Sequence, residues 1–250
     1  MSITPFLQAN GHGFRAGATT VSDGNMSYRF GPKGEVLENR QRYFEKMSLP
    51  AARFLTFFTD HKDDITDWRG GPMHLDALRS EPLATTDAIV TVTPGTGVFL
   101  TFADCVPVVF YDRRQHVLAF AHIGWRSMAM GFAGKVAGHL KTNYASKAED
   151  LRAVIGPCIK KESYLFADPI QASNPVWEPF LHPAGDGRQG IDLIGFCKSE
   201  LAAAGLAPEH VFASPIDTAQ DESMFSHYAA TAGGRPEKQG RIIFWAYLQE

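Results

Sequence analysis

The stretch ADCVPVVFYDRRQHVLAFAHIGW, residues 103–125, places one of only three cysteines before an apolar run and one of nine histidines after the next. A thiolate and an imidazole can share a proton or a metal ion, and either use needs the two groups side by side. The sequence between them reads as two strands joined by the charged turn 112–115. A four-residue hairpin loop there opposes residues whose numbers add to 227, as those of Cys105 and His122 do. Directly opposed Cβ atoms in an antiparallel pair lie about 4.5 to 5.5 Å apart. Ile123 and Gly124 then lead into a helix whose first N–H groups favour an anion or a developing negative charge. Spacing alone equally allows a plainer reading, with Cys105 a small buried hydrophobe and His122 a satisfied core histidine.

The elements that must position these residues follow from periodicity. Residues 36–48 read as an early helix. From residue 87 the pattern changes to strands: DAIVTV, GVFLTFA, PVVFY and HVLAFAH are rich in Val, Ile, Phe and Thr and bounded by Pro, Gly or charged turns. Trp125, Met128, Phe132, Val136 and Leu140 recur at three- and four-residue steps, the stripe of one amphipathic helix. Further strands are expected at 151–156, 210–214 and 241–248, with a helix over 189–205. Strands and helices interleave without a regular βαβ period. The expected fold is therefore α/β, with mixed sheets packed together and flanked by helices, in a single domain over residues 1–250. No Walker loop or G-x-S-x-G motif is present, and PGTG at 94–97 reads as a turn between strands.

Composition narrows the partners. A formal charge of −3 with mixed signs provides no basic stripe for a phosphate backbone, so no nucleic-acid partner is expected. The N-terminus lacks a basic region followed by an apolar one, and no apolar stretch approaches the ~20 residues needed to cross a bilayer. Cys105, Cys158 and Cys197 are widely spaced and form no C-x-x-C pair, which argues for a reducing compartment. A cytoplasmic protein acting on a small molecule is expected, without a membrane partner.

Three elements in order, A-D-C-x-P at 103–107, H-x-G-W-R at 122–126 and I-G-P-x-I at 155–159, resemble the YfiH family, also called laccase-domain or multicopper polyphenol oxidoreductase proteins. GNMSYRFG at 24–31 and ENR at 38–40 extend the likeness. The resemblance implies a metal, usually zinc, held by a histidine of a Q-V-H-G motif, by Cys105 and by His122. Q-V-H-G itself is absent. His61, 21 residues after Arg40 and four before Ile65, fits the missing position best, with His74 the alternative first ligand. Two His and one Cys with an open fourth position form a catalytic zinc arrangement.

The implied activity is phosphorolysis of purine nucleosides (adenosine, inosine, guanosine or methylthioadenosine), with adenosine deamination and peptidoglycan-precursor editing also associated with the family. Phosphorolysis needs a fixed cation for phosphate, and Arg40 and Arg126 are the candidates. Asp104, beside the cysteine, is a candidate to orient a histidine or act as acid or base. The family's fold is grouped with the cytotoxic necrotising factor catalytic domain, which keeps a cysteine hydrolase with a Cys105–His122 pair open. A catalytically degenerate metal-binding module is a further alternative, because His227-Tyr228 stands where the family has Tyr-Arg-Arg and Ser127 replaces a glycine. A blue-copper site plus a trinuclear cluster consumes roughly ten histidines. With nine histidines and no His-x-His, a full multicopper oxidase is not expected, although the same cluster offers donors that copper accepts in vitro.

Overall fold

A computed structural model describes residues 13–70, 78 and 84–250. His74 lies outside them. The centre is the expected hairpin, β6 (Val106–Asp112) against β7 (Val117–Ile123), and every residue of both strands is buried. Such continuous apolar runs arise where a sheet is covered on both faces. Around the hairpin a six-stranded mixed sheet runs β12 (Val211–Ala213), β8 (Leu151–Ile155), β6, β7, β4 (Ala88–Thr91) and β3 (Ile65–Trp68). A second sheet of four strands runs β1 (Phe14–Ala18), β13 (Ile242–Leu248), β5 (Thr96–Phe102) and β2 (Phe54–Leu55). A small three-stranded sheet of β10 (Leu181–Pro183), β11 (Gln189–Ile191) and β9 (Leu165–Phe166) completes the set.

Side-chain alternation turns these sheets into layers. Val109, Tyr111, Leu118 and Phe120 point from the hairpin into one core, where they meet Leu100, Phe102 and Phe244 of the four-stranded sheet. Their neighbours Val108, Phe110, Ala119 and Ala121 point the other way, onto helix α3 (Phe132–Tyr144) and helix α4 (Leu193–Ala203). The outer face of the four-stranded sheet carries helix α1 (Lys33–Lys46), whose Tyr43 and Phe44 pack with Phe54, Phe99 and Trp245. The result is a helix–sheet–sheet–helix stack, the mixed α/β arrangement expected. Among the described residues no helix is long and apolar enough to cross a membrane.

Three local readings are corrected. Asp112 stays in β6 and faces Val117, so the hairpin loop is 113–116 rather than 112–115. The Asp112 carboxylate accepts the N–H groups of Arg114 and Gln115 at 2.8 and 3.2 Å, and His116 takes a left-handed φ of 50° to close the turn. The register therefore moves by two, and Pro107, not Cys105, faces His122. The stripe from Trp125 to Leu140 is two helices, α2 (Trp125–Ala129) and α3, because Gly131 at φ 78° breaks the run. The helix expected over 189–205 begins only at Leu193: residues 189–191 form β11, and the Asp192 side chain caps α4 by accepting from Gly195 N at 2.7 Å.

Phe120 sits at the centre of the inter-sheet core, with ring contacts to Phe57, Phe102 and Phe244. Phe120→Ala should cost about 3 to 5 kcal/mol in equilibrium denaturation. A loss below about 1 kcal/mol would show that the two sheets do not depend on this packing.

Candidate metal centre

His122, the sixth residue of β7, follows Leu118 and Phe120 on the face toward the four-stranded sheet, and its ring lies 5.5 Å from that of Phe102. It is 4% exposed, and a histidine so placed needs a partner for each nitrogen. Asp87, one residue before β4 and wholly buried, supplies one: its Oδ1 is 3.2 Å from His122 Nδ1, while its carbonyl accepts from His122 N at 2.8 Å. A proton on Nδ1 donated to this carboxylate leaves Nε2 with its lone pair directed away.

The second oxygen of Asp87 accepts the backbone N–H of Lys62 at 2.8 Å. That bond fixes the turn in which His61, at a left-handed φ of 58°, is held with its ring centroid 4.8 Å from that of His122. The third member comes from the other side of the hairpin. Extending the observed register by one pair places Cys105 opposite Gly124, on the same face as His122, because the slip of two from the expected register keeps the parity that a slip of one would lose. The Cys105 turn is itself tied down. Asp104, at φ 81°, accepts from Thr218 Oγ1 and from Tyr228 N, both at 2.7 Å, and its carbonyl accepts from Ile159 N at 3.1 Å.

His61, Cys105 and His122 thus offer three ligand atoms within 4.8 Å of one another. A tetrahedral ion with bonds of about 2.0 to 2.3 Å needs such atoms about 3.3 to 3.8 Å apart, a distance reached by small side-chain rotations. Gly124 makes the room: a Cβ there would lie 3.1 Å from His61 Nδ1 and 3.8 Å from Cys105 Sγ. One thiolate and two imidazoles suit zinc or copper and leave a position open, so the donor set and the cradle both fit a metal ion. Burial opposes a charged His122, but the Cys105 sulfur and the Asp87 carboxylate outweigh it and raise the imidazole to about 9. Burial and the neighbouring His122 push His61 the other way, toward the neutral ligand form. An incoming ion must displace the His122 proton from the ligand pair, so binding releases protons and weakens as the pH falls.

Two cavities meet at this cluster. One, of about 350 Å³, is walled by Trp125, Tyr164, Phe166 and Tyr228, with the Arg126 guanidinium 4.4 Å over the Trp125 ring. The other, of about 500 Å³, is lined by hydroxyls and by Arg29, Arg40 and Arg241. His61, Ala103, Cys105 and His227 belong to both walls.

The remaining sequence candidates line the cavities without joining the cluster. Asp104 contacts neither histidine, and the orienting carboxylate is Asp87. Arg40 is 2% exposed and spent on carbonyls: it donates to Met26 O and Leu78 O beneath the rings of Tyr28 and Phe99, and burial lowers it to about 10. The helix N-terminus after Gly124 is not an anion site. α2 has only five residues, and Gly124 N donates to Ser127 Oγ at 3.0 Å. Cys158 and Cys197 are fully buried packing residues, the Cys158 thiol pushed up to about 12 by burial. Asp87 escaped the sequence reading, and His227 entered it only as a departure from the resembled motif. The only trace of Asp87 is a lone acid before a buried strand, and of His227 a histidine where the resembled motif has tyrosine.

A His–Cys–His cluster at the rim of two facing sheets defines a class, and the family profile of the multi-copper polyphenol oxidoreductase laccases matches residues 13–248. The chain belongs to that family. It is similar to YlmD of Geobacillus stearothermophilus, whose crystal structure superposes with a TM-score of 0.82 at 26% identity over 99% of this chain and 94% of that one. YfiH of Bacillus licheniformis shares the fold, with a TM-score of 0.80 at 24% identity over 94% and 93% of the two chains. In sequence the chain is 30% identical over 164 residues to a purine nucleoside phosphorylase of Staphylococcus saprophyticus, a match spanning 64% of this chain and 60% of that relative. The phosphorylase named YlmD is 28% identical over 84% of this chain and 79% of its own length.

Cys105→Ser should strip most of the metal from the purified protein, as read by elemental analysis, whereas Cys158→Ser and Cys197→Ser should keep it. Asp87→Asn should weaken metal affinity about 10- to 100-fold in competition with a chelator. Metal content unchanged by Cys105→Ser would remove the cluster as the metal site.

Proposed function

We propose that the protein is a zinc-dependent purine nucleoside phosphorylase, with His61, Cys105 and His122 as the ligands. The observation that carries this reading is that two members of the cluster, His61 and Cys105, stand on the wall shared by an aromatic cavity and an arginine-lined one, with His122 on the arginine-lined side. Two substrates of opposite chemistry, a flat base and an oxyanion, then meet where the donors are. The naming of relatives as purine nucleoside phosphorylases supports the same reading. Bound zinc supplies a Lewis acid that polarises an oxygen of phosphate or of the ribose.

In the reaction, a phosphate oxygen forms the bond to C1′ of the ribose while the C1′–N9 bond breaks. The bonding pair passes to the purine, which takes up a proton, and the products are free base and ribose 1-phosphate. Trp125, Tyr164, Phe166 and Tyr228 stack the base and exclude water from it. His227, exposed at the shared wall, holds the proton that the leaving purine receives. Asp87 keeps His122 in one tautomer throughout. Adenosine deamination, with water replacing the amino group, is the companion activity of the same cavity.

One observation favours a second reading. The ligand atoms of Cys105 and His122 lie within 4.8 Å of each other, and His122 bonds Asp87, the nucleophile–base–orienter order of a cysteine hydrolase. The readings separate in one assay. Adenosine, inosine and guanosine are incubated with phosphate, and base and sugar products are measured. The phosphorylase reading expects activity lost on chelation, restored by zinc, and dependent on phosphate, with ribose 1-phosphate as product. Ammonia release from adenosine reports the deaminase arm. Activity that survives chelation but not thiol alkylation would replace this reading with the hydrolase.

A further inference from the structure

The arginine-lined cavity holds more positive charge than its own protein groups balance. Arg241, just before β13, lies with its guanidinium 4.1 Å over the Phe30 ring, and the Arg29 guanidinium is 5.7 Å from the same ring. Arg241 is half-buried, and its only side-chain hydrogen bond among the described residues goes to the carbonyl of Gly240, its own neighbour, at 2.7 Å. Neither arginine has a carboxylate partner among the described residues, and no acidic residue lines the cavity. Arg40 on the same wall is saturated by carbonyls, so it adds charge but no free donors. Thr56, Thr59 and Thr101 bring hydroxyls that make no hydrogen bond among the described residues.

Two like charges converging on one concave, partly desolvated site repel each other unless an anion lies between them. Planar guanidinium forks are weakly hydrated and match the oxygen spacing of phosphate, which hydroxyl donors complete. Both cavities are lined by four aromatic rings, but the facing one carries a single arginine, Arg126, where this one carries three.

We propose that Arg29 and Arg241 form a phosphate subsite, taking inorganic phosphate or the phosphoryl group of a sugar phosphate, and that they are its specificity-determining residues. This places the phosphate cation in neither Arg40 nor Arg126. It rests on the phosphorylase reading only for seating the base in the aromatic cavity; anion binding stands on the two guanidiniums.

The test titrates inorganic phosphate, and separately ribose 1-phosphate, into the intact protein by calorimetry. Arg29→Gln and Arg241→Gln should each weaken binding about tenfold, and the pair together about 100-fold or more. Arg126→Gln should leave phosphate affinity within about twofold. Tighter binding of ribose 1-phosphate than of phosphate, lost in the same variants, identifies the sugar phosphate as the better ligand of the subsite. In the nucleoside assay the KM for phosphate should rise while the KM for nucleoside stays within about threefold. Arg29 is exposed, so Arg29→Gln carries the test should Arg241→Gln not fold. Phosphate binding that depends on these arginines without turnover of any nucleoside keeps the subsite and overturns the phosphorylase reading. Phosphorolysis with an unchanged KM for phosphate in the Arg29→Gln variant overturns the subsite and keeps the reading. Wild-type protein that binds neither phosphate nor ribose 1-phosphate overturns the subsite outright.

Discussion

A single buried carboxylate organises the site. Asp87 is fully enclosed, and a charge so placed is costly unless every oxygen is satisfied. One oxygen meets His122 and the other the Lys62 backbone, while the main chain of Asp87 continues the pairing between β4 and β7. The same residue therefore sets the tautomer of one donor, the backbone path of the loop carrying another, and the end of the sheet on which both rest. Removing the charge without changing the shape disturbs the first two relations together, because they share one carboxylate, and leaves the main-chain pairing in place.

The chemistry extends outward from that point in two directions of opposite polarity. Rings from α2, β9 and α5 (His227–Thr231) close one side, and arginines from the segment before α1 and from the start of β13 close the other. Asp104 links the two problems. By accepting from Thr218 and from the first turn of α5 it holds the turn of Cys105 and the helix that presents His227 in one hydrogen-bonded unit. A residue outside the donor set thus governs where both Cys105 and His227 stand.

Much of this was legible before any coordinates. Unbroken apolar runs marked β4 to β7, and motif and proximity in sequence singled out Cys105 and His122. The register was misread because Asp112 looks like a turn residue by type, whereas here it remains paired and turns the chain through its side chain. The error was harmless to the pairing of thiol and imidazole only because it was even. Asp87 was illegible for a different reason. Its meaning depends on β4 lying beside β7, a pairing of segments 35 residues apart that local pattern does not encode. Arg29 and Arg241 stand at opposite ends of the chain and are brought together by the β1–β13 side of the fold, so no spacing rule reaches them. Arg40, a candidate cation for phosphate by its type, anchors carbonyls beneath two rings, a use that no local pattern discloses.

The three donors differ in how firmly the fold grips them. His122 is set in a wholly buried strand, and Cys105 on a turn pinned by three hydrogen bonds, but His61 sits on an exposed turn in a backbone conformation that most side chains avoid. Stiffness therefore falls from one side of the cluster to the other. An ion held here would be exchanged by a swinging of His61 while the other two stay still, which makes the lifetime of the bound metal a property of one surface turn and leaves the folded core out of the exchange.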